Sequence, residues 1–509
     1  MEAPAQFNEL KKRLAEYYDL NSASAVLGWD QATYMPLGGA AARARQLGTL
    51  GKLAQEKLTD PAIGKLLDEL RPYEENLAYD SDEASFIRVA RRNYQIATLI
   101  PPAFVEEVSN HTVMAYQTWA SARPENNFAA VRDNLEKTLD YSRRYAEYLQ
   151  PLDSSYQHIM DALIDLPDYG MRVDTVQGVF AELRAALVPL VKAIKECEPV
   201  DDSFLYQSFP GDKQMSFARE VIQKFGYDFQ RGRQDPTHHP FATRFSAGDV
   251  RITTRVDDNH LGDGVFATFH EAGHGMYEQG INVEFDATPL GGGTSAGVHE
   301  SQSRTWENIV GRSYAFWEHY YAQLQSIFPD QLKNISLEKF YQAVNKVEPS
   351  LIRVKADEVT YNLHIMVRFD FELALLEGKL AVKDLPEAWN ARYQGDLGVT
   401  PPDHKDGVMQ DVHWFAGLIG GVFQGYTLGN ILGAQFYQTA LKSHPEIPSE
   451  IAQGKFDTLY GWLRDNIYQH GSKYNAPELI QRVTGGSLDV QPLVNYLYAK
   501  YGEIYHLNM

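Results

Sequence analysis

The sequence predicts a mainly α-helical fold interrupted by one small antiparallel β-hairpin. Three observations predict it. Apolar residues recur at helical spacing along most of the chain, a single stretch alternates with a period of two, and no linker-like tract divides the 509 residues. In chain order, Phe7, Leu10, Leu14 and Tyr17 mark a first amphipathic helix. Val179, Leu183, Leu187, Leu190 and Val191 mark another, and the segments Phe340–Val347, Tyr361–Leu376 and Pro492–Tyr498 repeat the pattern. Between Phe241 and Val256 the period changes. Phe241, Thr243 and Phe245 alternate with polar or small residues, and Ala247-Gly248-Asp249 supplies a turn. Val250, Ile252, Thr254 and Val256 then share one face, with Arg251, Thr253 and Arg255 on the other. Irregular stretches at Pro199–Lys213, Arg231–Pro240 and Gln394–Val412 are too short for linkers. The expectation is one domain over residues 1–509, in one lobe or two.

Composition narrows the function classes. Lys plus Arg is 47 and Asp plus Glu is 67, a net charge of −20. A nucleic-acid binder needs a basic excess to neutralise phosphates, so that class is set aside. Cys197 is the one cysteine, which excludes an intramolecular disulfide and a cysteine zinc cluster. It lies in the charged stretch Lys192–Glu198, where a plain thiol is expected. The N-terminus shows no apolar signal region, and no run approaches the ~20 apolar residues of a membrane span. A cytoplasmic protein without a membrane partner is expected.

The strongest local signal is His270-Glu271-Ala272-Gly273-His274. On a helix, positions four apart project from one face one turn apart, so both imidazoles can bind one tetrahedral zinc. Glu271 stands beside them, able to act as general base on a water activated by the metal. Asp263 can cap such a helix from Gly264, and Gly280 can end it. Gly273 and Gly275 each cost about 1 kcal/mol in a helix, which implies a close backbone approach there. A catalytic zinc needs a third protein ligand. His299-Glu300-Ser301-Gln302 follows the Gly291-Gly292-Gly293 turn and enters a helix expected over Ala296–Val310. Glu300 is the favoured ligand and His299 the competitor, because adjacent helical residues point ~100° apart.

At these residues the sequence strongly resembles the thermostable metallocarboxypeptidase family (Taq-type carboxypeptidase, metallopeptidase family thirty-two). The resemblance rests on ordered motifs across much of the chain: His239-Pro240-Phe241, Asp249 to Thr253 as DxRxT, the zinc helix, His299 to Gln302, Ile352 to Asp357 as IRxxAD, and Gly407 to Trp414 as GxxQDxHW. Trp29-Asp30, Met35-Pro36 and Tyr426 to Asn430 also match, and no motif position departs from the pattern. The resemblance implies a helical fold with a deep groove, one divalent metal (zinc or cobalt), release of C-terminal residues from peptides, and a homodimer. Thermolysin-type enzymes carry an Asp four residues after the third ligand, where this chain has Arg304.

A carboxypeptidase must hold a terminal carboxylate, and the planar fork of an arginine matches one with two bonds. Arg353 fits the family's IRxxAD arginine; the alternative is an ion pair with Asp357. His413 and Tyr426 are, by resemblance, candidate donors to the oxyanion. Arg251 and His239 are candidates to line the substrate, with Gln410 a weaker one. Two rival readings stay open at this point: a helical oligoendopeptidase, which needs no carboxylate clamp, and a metal-binding scaffold, which needs no Glu271.

Overall fold

The computed structural model describes residues 4–507 and is helical almost throughout, with one three-stranded sheet among the described residues. The chain forms two compact units. The first is drawn from the segments up to Thr98, Asp201–Val344 and Phe436–Ser487. The second is drawn from Leu99–Val200, Asn345–Gln435 and the segment from Leu488 onward.

In the first unit, Phe7, Leu10 and Leu14 lie on the helix Ala5–Thr33 and are buried with Ile63, Leu67, Phe86 and Ile87 in one apolar cluster. A second core is aromatic. Phe225 packs with Phe269, Trp306, Phe316 and Phe456 at ring separations of 5.2, 4.7, 6.0 and 4.8 Å. Such tilted and edge-on pairs add directional attraction to area burial. In the aromatic run from Tyr314 to Tyr321, Phe316, Trp317, Tyr320 and Tyr321 are buried, whereas Tyr314 is exposed.

The expected hairpin is present as β2 (Ala242–Ser246) and β3 (Asp249–Thr254), antiparallel with Ala242 opposite Ile252. The structure adds β1 (Gln234–Pro236), parallel to β3, inside a stretch that reads as irregular. Three residues ending in proline carry too little periodicity to announce a strand. Thr253 also departs from the expected polar face. It is buried, and its hydroxyl accepts from the Phe241 N–H and donates to the Phe241 carbonyl.

In the second unit, the helices Val173–Lys195 and Thr360–Leu376 meet through Phe180 and Phe369 at 5.1 Å. Thr360–Leu376 is buried on nearly all sides. Asp357 caps its start, accepting from the N–H groups of Val359 and Thr360 and from the Thr360 hydroxyl. Cys197 is half-buried, with Sγ toward the carbonyls of Ala193 and Tyr505, as expected of a plain thiol. Among the described residues no helix is long and apolar enough to cross a membrane.

Candidate active site

The motif helix runs Leu261–Gly280, three residues earlier than an Asp263 cap would allow. His260 is the extended residue before it, and Asp263 lies in the first turn, 2.9 Å from the His260 ring. The acid therefore faces the positive end of the helix dipole rather than capping it. The cost of the two internal glycines is explained by packing. A Cβ at Gly273 would meet the Gln302 carbonyl oxygen at 2.5 Å and Ser303 Cα at 2.6 Å; one at Gly275 would meet the Tyr227 ring at 2.8 Å. Gly273 thus lets the motif helix lie backbone to backbone against the helix Ala296–Arg304, which carries Glu300. That second helix is capped by Ser295 and continues into a π-helical turn, Thr305–Val310. Such wider turns re-aim side chains and recur at functional sites; here the turn carries Glu307.

His270, His274 and Glu300 each aim one ligand atom at a common point, all within 4.8 Å of one another. Glu300 Oε2 stands 3.7 Å from His270 Nε2 and 3.4 Å from His274 Nε2. Ligands ~2.0–2.2 Å from a tetrahedral zinc are about 3.3–3.6 Å apart, so both Glu300 separations are close to metal-bound dimensions. The other atoms of these three side chains are already committed. Glu300 Oε1 accepts from Arg304 Nε at 2.7 Å, whereas Oε2, which the Ser303 hydroxyl reaches at 3.2 Å, faces the histidines. His270 Nδ1 lies 2.9 Å from Glu307 Oε2, the carboxylate–histidine pairing that fixes a ligand's tautomer. Glu307 is held in turn by Arg304 and Arg312. His299, the competing ligand, turns its ring to His274 and Glu278 instead. The donor set of two imidazoles, one carboxylate and supported outer nitrogens suits a divalent ion.

Burial alone would raise Glu300, but Arg304 and the two histidines outweigh it and hold the carboxyl well below the usual range. Glu271 differs. It is buried, no side chain among the described residues hydrogen-bonds its carboxylate, and burial pushes it up to about 7, with Glu300 and Glu307 acting in the same direction against His270. A carboxylate near neutrality is poised to take up and release a proton.

The other residues singled out from sequence fall into two groups. Arg251 binds Asp249 with two bonds, Nε–Oδ1 2.8 Å and Nη2–Oδ2 2.7 Å, and its guanidinium lies over the Trp29 ring at 4.4 Å. That contact joins the Trp29-Asp30 and DxRxT segments in space. His239 is exposed in the loop before β2. In the second unit, Arg353, Gln410, His413 and Tyr426 gather around Asp411. Arg353 sits in a short 3-10 turn, not an α-helix, and its partner is Asp411 rather than Asp357 (Nη2–Oδ1 2.8 Å). Its Nη1 donates to Tyr361. Arg368, fully buried, donates through Nε to the other Asp411 oxygen. Gln410 accepts from the Arg353 N–H at 2.9 Å and donates to the Leu351 and Asp406 carbonyls, stapling the turn. Burial, with the two arginines, pushes His413 down to about 4 against the pull of Asp411. The Tyr426 ring lies 5.5 Å from the Arg353 guanidinium.

Sequence reasoning did not find Glu307, Glu278 or Arg368. Each is a charged residue on a helix, and only its neighbours in space distinguish it from a surface charge. Asp411 was legible as part of GxxQDxHW, without a role.

The profile of the Carboxypeptidase Taq (M32) metallopeptidase family matches residues 9–501. The chain is 42% identical to thermostable carboxypeptidase 1 of Thermus thermophilus, over 99% of this chain and 100% of that one. It is 37% identical to carboxypeptidase 1 of Bacillus subtilis, over 99% and 98% of the two chains. The crystal structure of the M32 carboxypeptidase from Deinococcus radiodurans superposes with a TM-score of 0.95 at 47% identity, covering 99% of this chain and 100% of that one. Similarity over the whole length, in both sequence and fold, makes this chain a metallocarboxypeptidase of the Carboxypeptidase Taq (M32) family.

Proposed function

We propose that His270, His274 and Glu300 hold one zinc ion, that Glu271 is the general base, and that Arg353 takes the terminal carboxylate of the peptide substrate. The observation that carries the reading is the convergence of three ligand atoms within 4.8 Å beside the buried Glu271 carboxylate. Cobalt would satisfy the same donors. When bound, the ion supplies Lewis acidity, polarising the scissile carbonyl and lowering the pKa of a water. Glu271 takes a proton from the attacking water and passes it to the leaving amine.

Arg353 has five N–H donors. Nε and one hydrogen of Nη2 go to Asp411 and one of Nη1 to Tyr361, so each Nη keeps a hydrogen for a forked bond to a carboxylate. Arg353 and Arg368 share the single carboxylate of Asp411, and a substrate carboxylate offsets the remaining positive charge. His413 or Tyr426 donates to the developing oxyanion, and Arg251 and His239 line the peptide. Gln410 acts by holding the Arg353 turn. The residues 1–509 are read as one metallocarboxypeptidase domain, and the protein as a cytoplasmic homodimer with peptides as its partners. Light scattering giving twice the 57.5 kDa chain mass would support the dimer; the chain mass itself would end that part of the reading.

The experiment is a short N-blocked peptide offered once as the free acid and once as the C-terminal amide, with a Glu271→Gln variant alongside and mass spectrometry of the products. Stepwise loss of single residues from the free acid alone, falling ~10²–10⁴-fold in the variant, is the expected result. Equal cleavage of both peptides would strip Arg353 of its role.

A further inference from the structure

The two histidines of the metal site are oriented differently. His270 Nδ1 meets a carboxylate directly, whereas His274 Nδ1 lies 2.6 Å from Nδ1 of a second imidazole, His299. One hydrogen occupies that short gap. If His274 Nε2 gives its lone pair to a cation, the hydrogen must be on His274 Nδ1, and His299 Nδ1 must accept it. His299 then carries its own proton on Nε2, which points at Glu278 Oε1, 2.8 Å away. Glu278 is suited to receive it. It is buried on the motif helix, one turn beyond His274, where Oε1 also accepts the Gly293 N–H at 3.2 Å and Oε2 lies 3.6 Å from Arg244 Nε. Arg244 is anchored by Asp286 at 2.8 Å. The two links from His274 through His299 to Glu278 run in one direction, and Glu278 ends them as an acceptor.

The space for the ring is built as well. A Cβ at Gly293 would come within 2.7 Å of His299 Cδ2, and Tyr277 packs against the ring at 5.1 Å. The Gly-Gly-Gly turn thereby acquires a reason at its third position. With both nitrogens used, His299 has no lone pair left for a metal.

We propose that His299 is a positioning residue, an imidazole that receives the His274 Nδ1 hydrogen and, anchored by Glu278, keeps His274 Nε2 aimed at the cation. The proposal rests on His270, His274 and Glu300 being the metal ligands. Outer partners of metal-bound histidines typically change metal affinity by ~10–100-fold when removed.

The test uses the full-length protein. Zn2+ retention is measured by chelator competition, the ligand field by visible absorption after Co2+ substitution, and folding by thermal melting of the metal-free protein. His299→Phe fills the ring space without an acceptor. It should weaken Zn2+ retention ~10–100-fold and shift the Co2+ bands, with the metal-free melt unchanged. His299→Asn, which places an oxygen near the Nδ1 position, should recover most of the loss. Wild-type retention and spectrum in His299→Phe would overturn the proposal, and so would a loss that His299→Asn does not relieve. Should His299→Phe not fold, Glu278→Gln decides: weaker retention and shifted bands uphold the chain, and an unchanged site overturns it. Wild-type protein that binds no stoichiometric divalent ion would instead remove the ligand assignment beneath it.

Discussion

Replacing Arg353 by Lys keeps a positive charge but removes the planar fork. Two charge-assisted bonds to the substrate would become one, and Asp411 would keep Arg368 as its main partner. The expected result is a ~10–100-fold fall in kcat/KM for free-acid peptides, about 1.4–2.7 kcal/mol. Metal content and melting temperature should stay near wild type; a variant with unchanged kcat/KM would refute the clamp. Glu372 carries a second prediction at this scale. Its carboxyl is buried against the Trp414 indole N–H at 2.8 Å, and burial pushes it up to about 7. The folded state thus holds this proton more tightly than the unfolded chain. The associated stability is present in full below pH 4.5, the ordinary value, and is lost as pH rises through about 7. The shift of 7 − 4.5 = 2.5 pH units sets an upper bound on the order of 3 kcal/mol. Glu372→Gln should therefore melt higher than wild type at pH 8 and about the same at pH 5, as followed by circular dichroism.

Between elements, the decisive contact is the backbone approach of the motif helix to the helix bearing Glu300. Gly273→Ala puts a methyl group 2.5 Å from a carbonyl oxygen that belongs to backbone and cannot rotate away. The two helices must separate, at a cost of about 1–3 kcal/mol, and Glu300 must move off the histidines. Both melting temperature and metal retention should fall together. Gly178→Ala is the control. It lies exposed in the helix Val173–Lys195 with nothing within 4 Å of the added carbon, so the substitution should stabilise by about 0.5–1 kcal/mol. A Gly273→Ala protein as stable and metal-retentive as wild type would show that the approach has slack.

For the whole molecule, a metal held as proposed by His270, His274 and Glu300 is a ligand of the folded state alone, because those donors are brought together only on folding. Removing it leaves the outer groups in place, but the mass-action stabilisation disappears, about 2.7 kcal/mol at a free metal concentration 100-fold above Kd. Chelation should lower the melting temperature and abolish peptide hydrolysis, and added Zn2+ should restore both. A melt indifferent to chelator would show that the cage is held by its ion pairs and hydrogen bonds without help.

What the sequence determined by itself is the set of properties carried by local periodicity and spacing. The helices at Phe7–Tyr17 and Val179–Val191, the hairpin after Phe241, and the pairing of His270 with His274 all follow from side chains a few residues apart. Glu300 was legible because a turn and a helix start separate it from the motif. The glycines at 273 and 275 were legible as a cost without a partner. Only the tertiary structure decided which partner: Gln302 for Gly273, Tyr227 for Gly275. It alone decided that Arg353 answers to Asp411, 58 residues away, rather than to Asp357, four residues on. It alone gave His299 to His274 and Glu278 rather than to the metal. The reason is physical. Backbone periodicity is a short-range property that a sequence displays directly, whereas the partner of a charge or an imidazole is chosen by whichever group the packed core brings within about 3 Å, and sequence distance does not enter that choice.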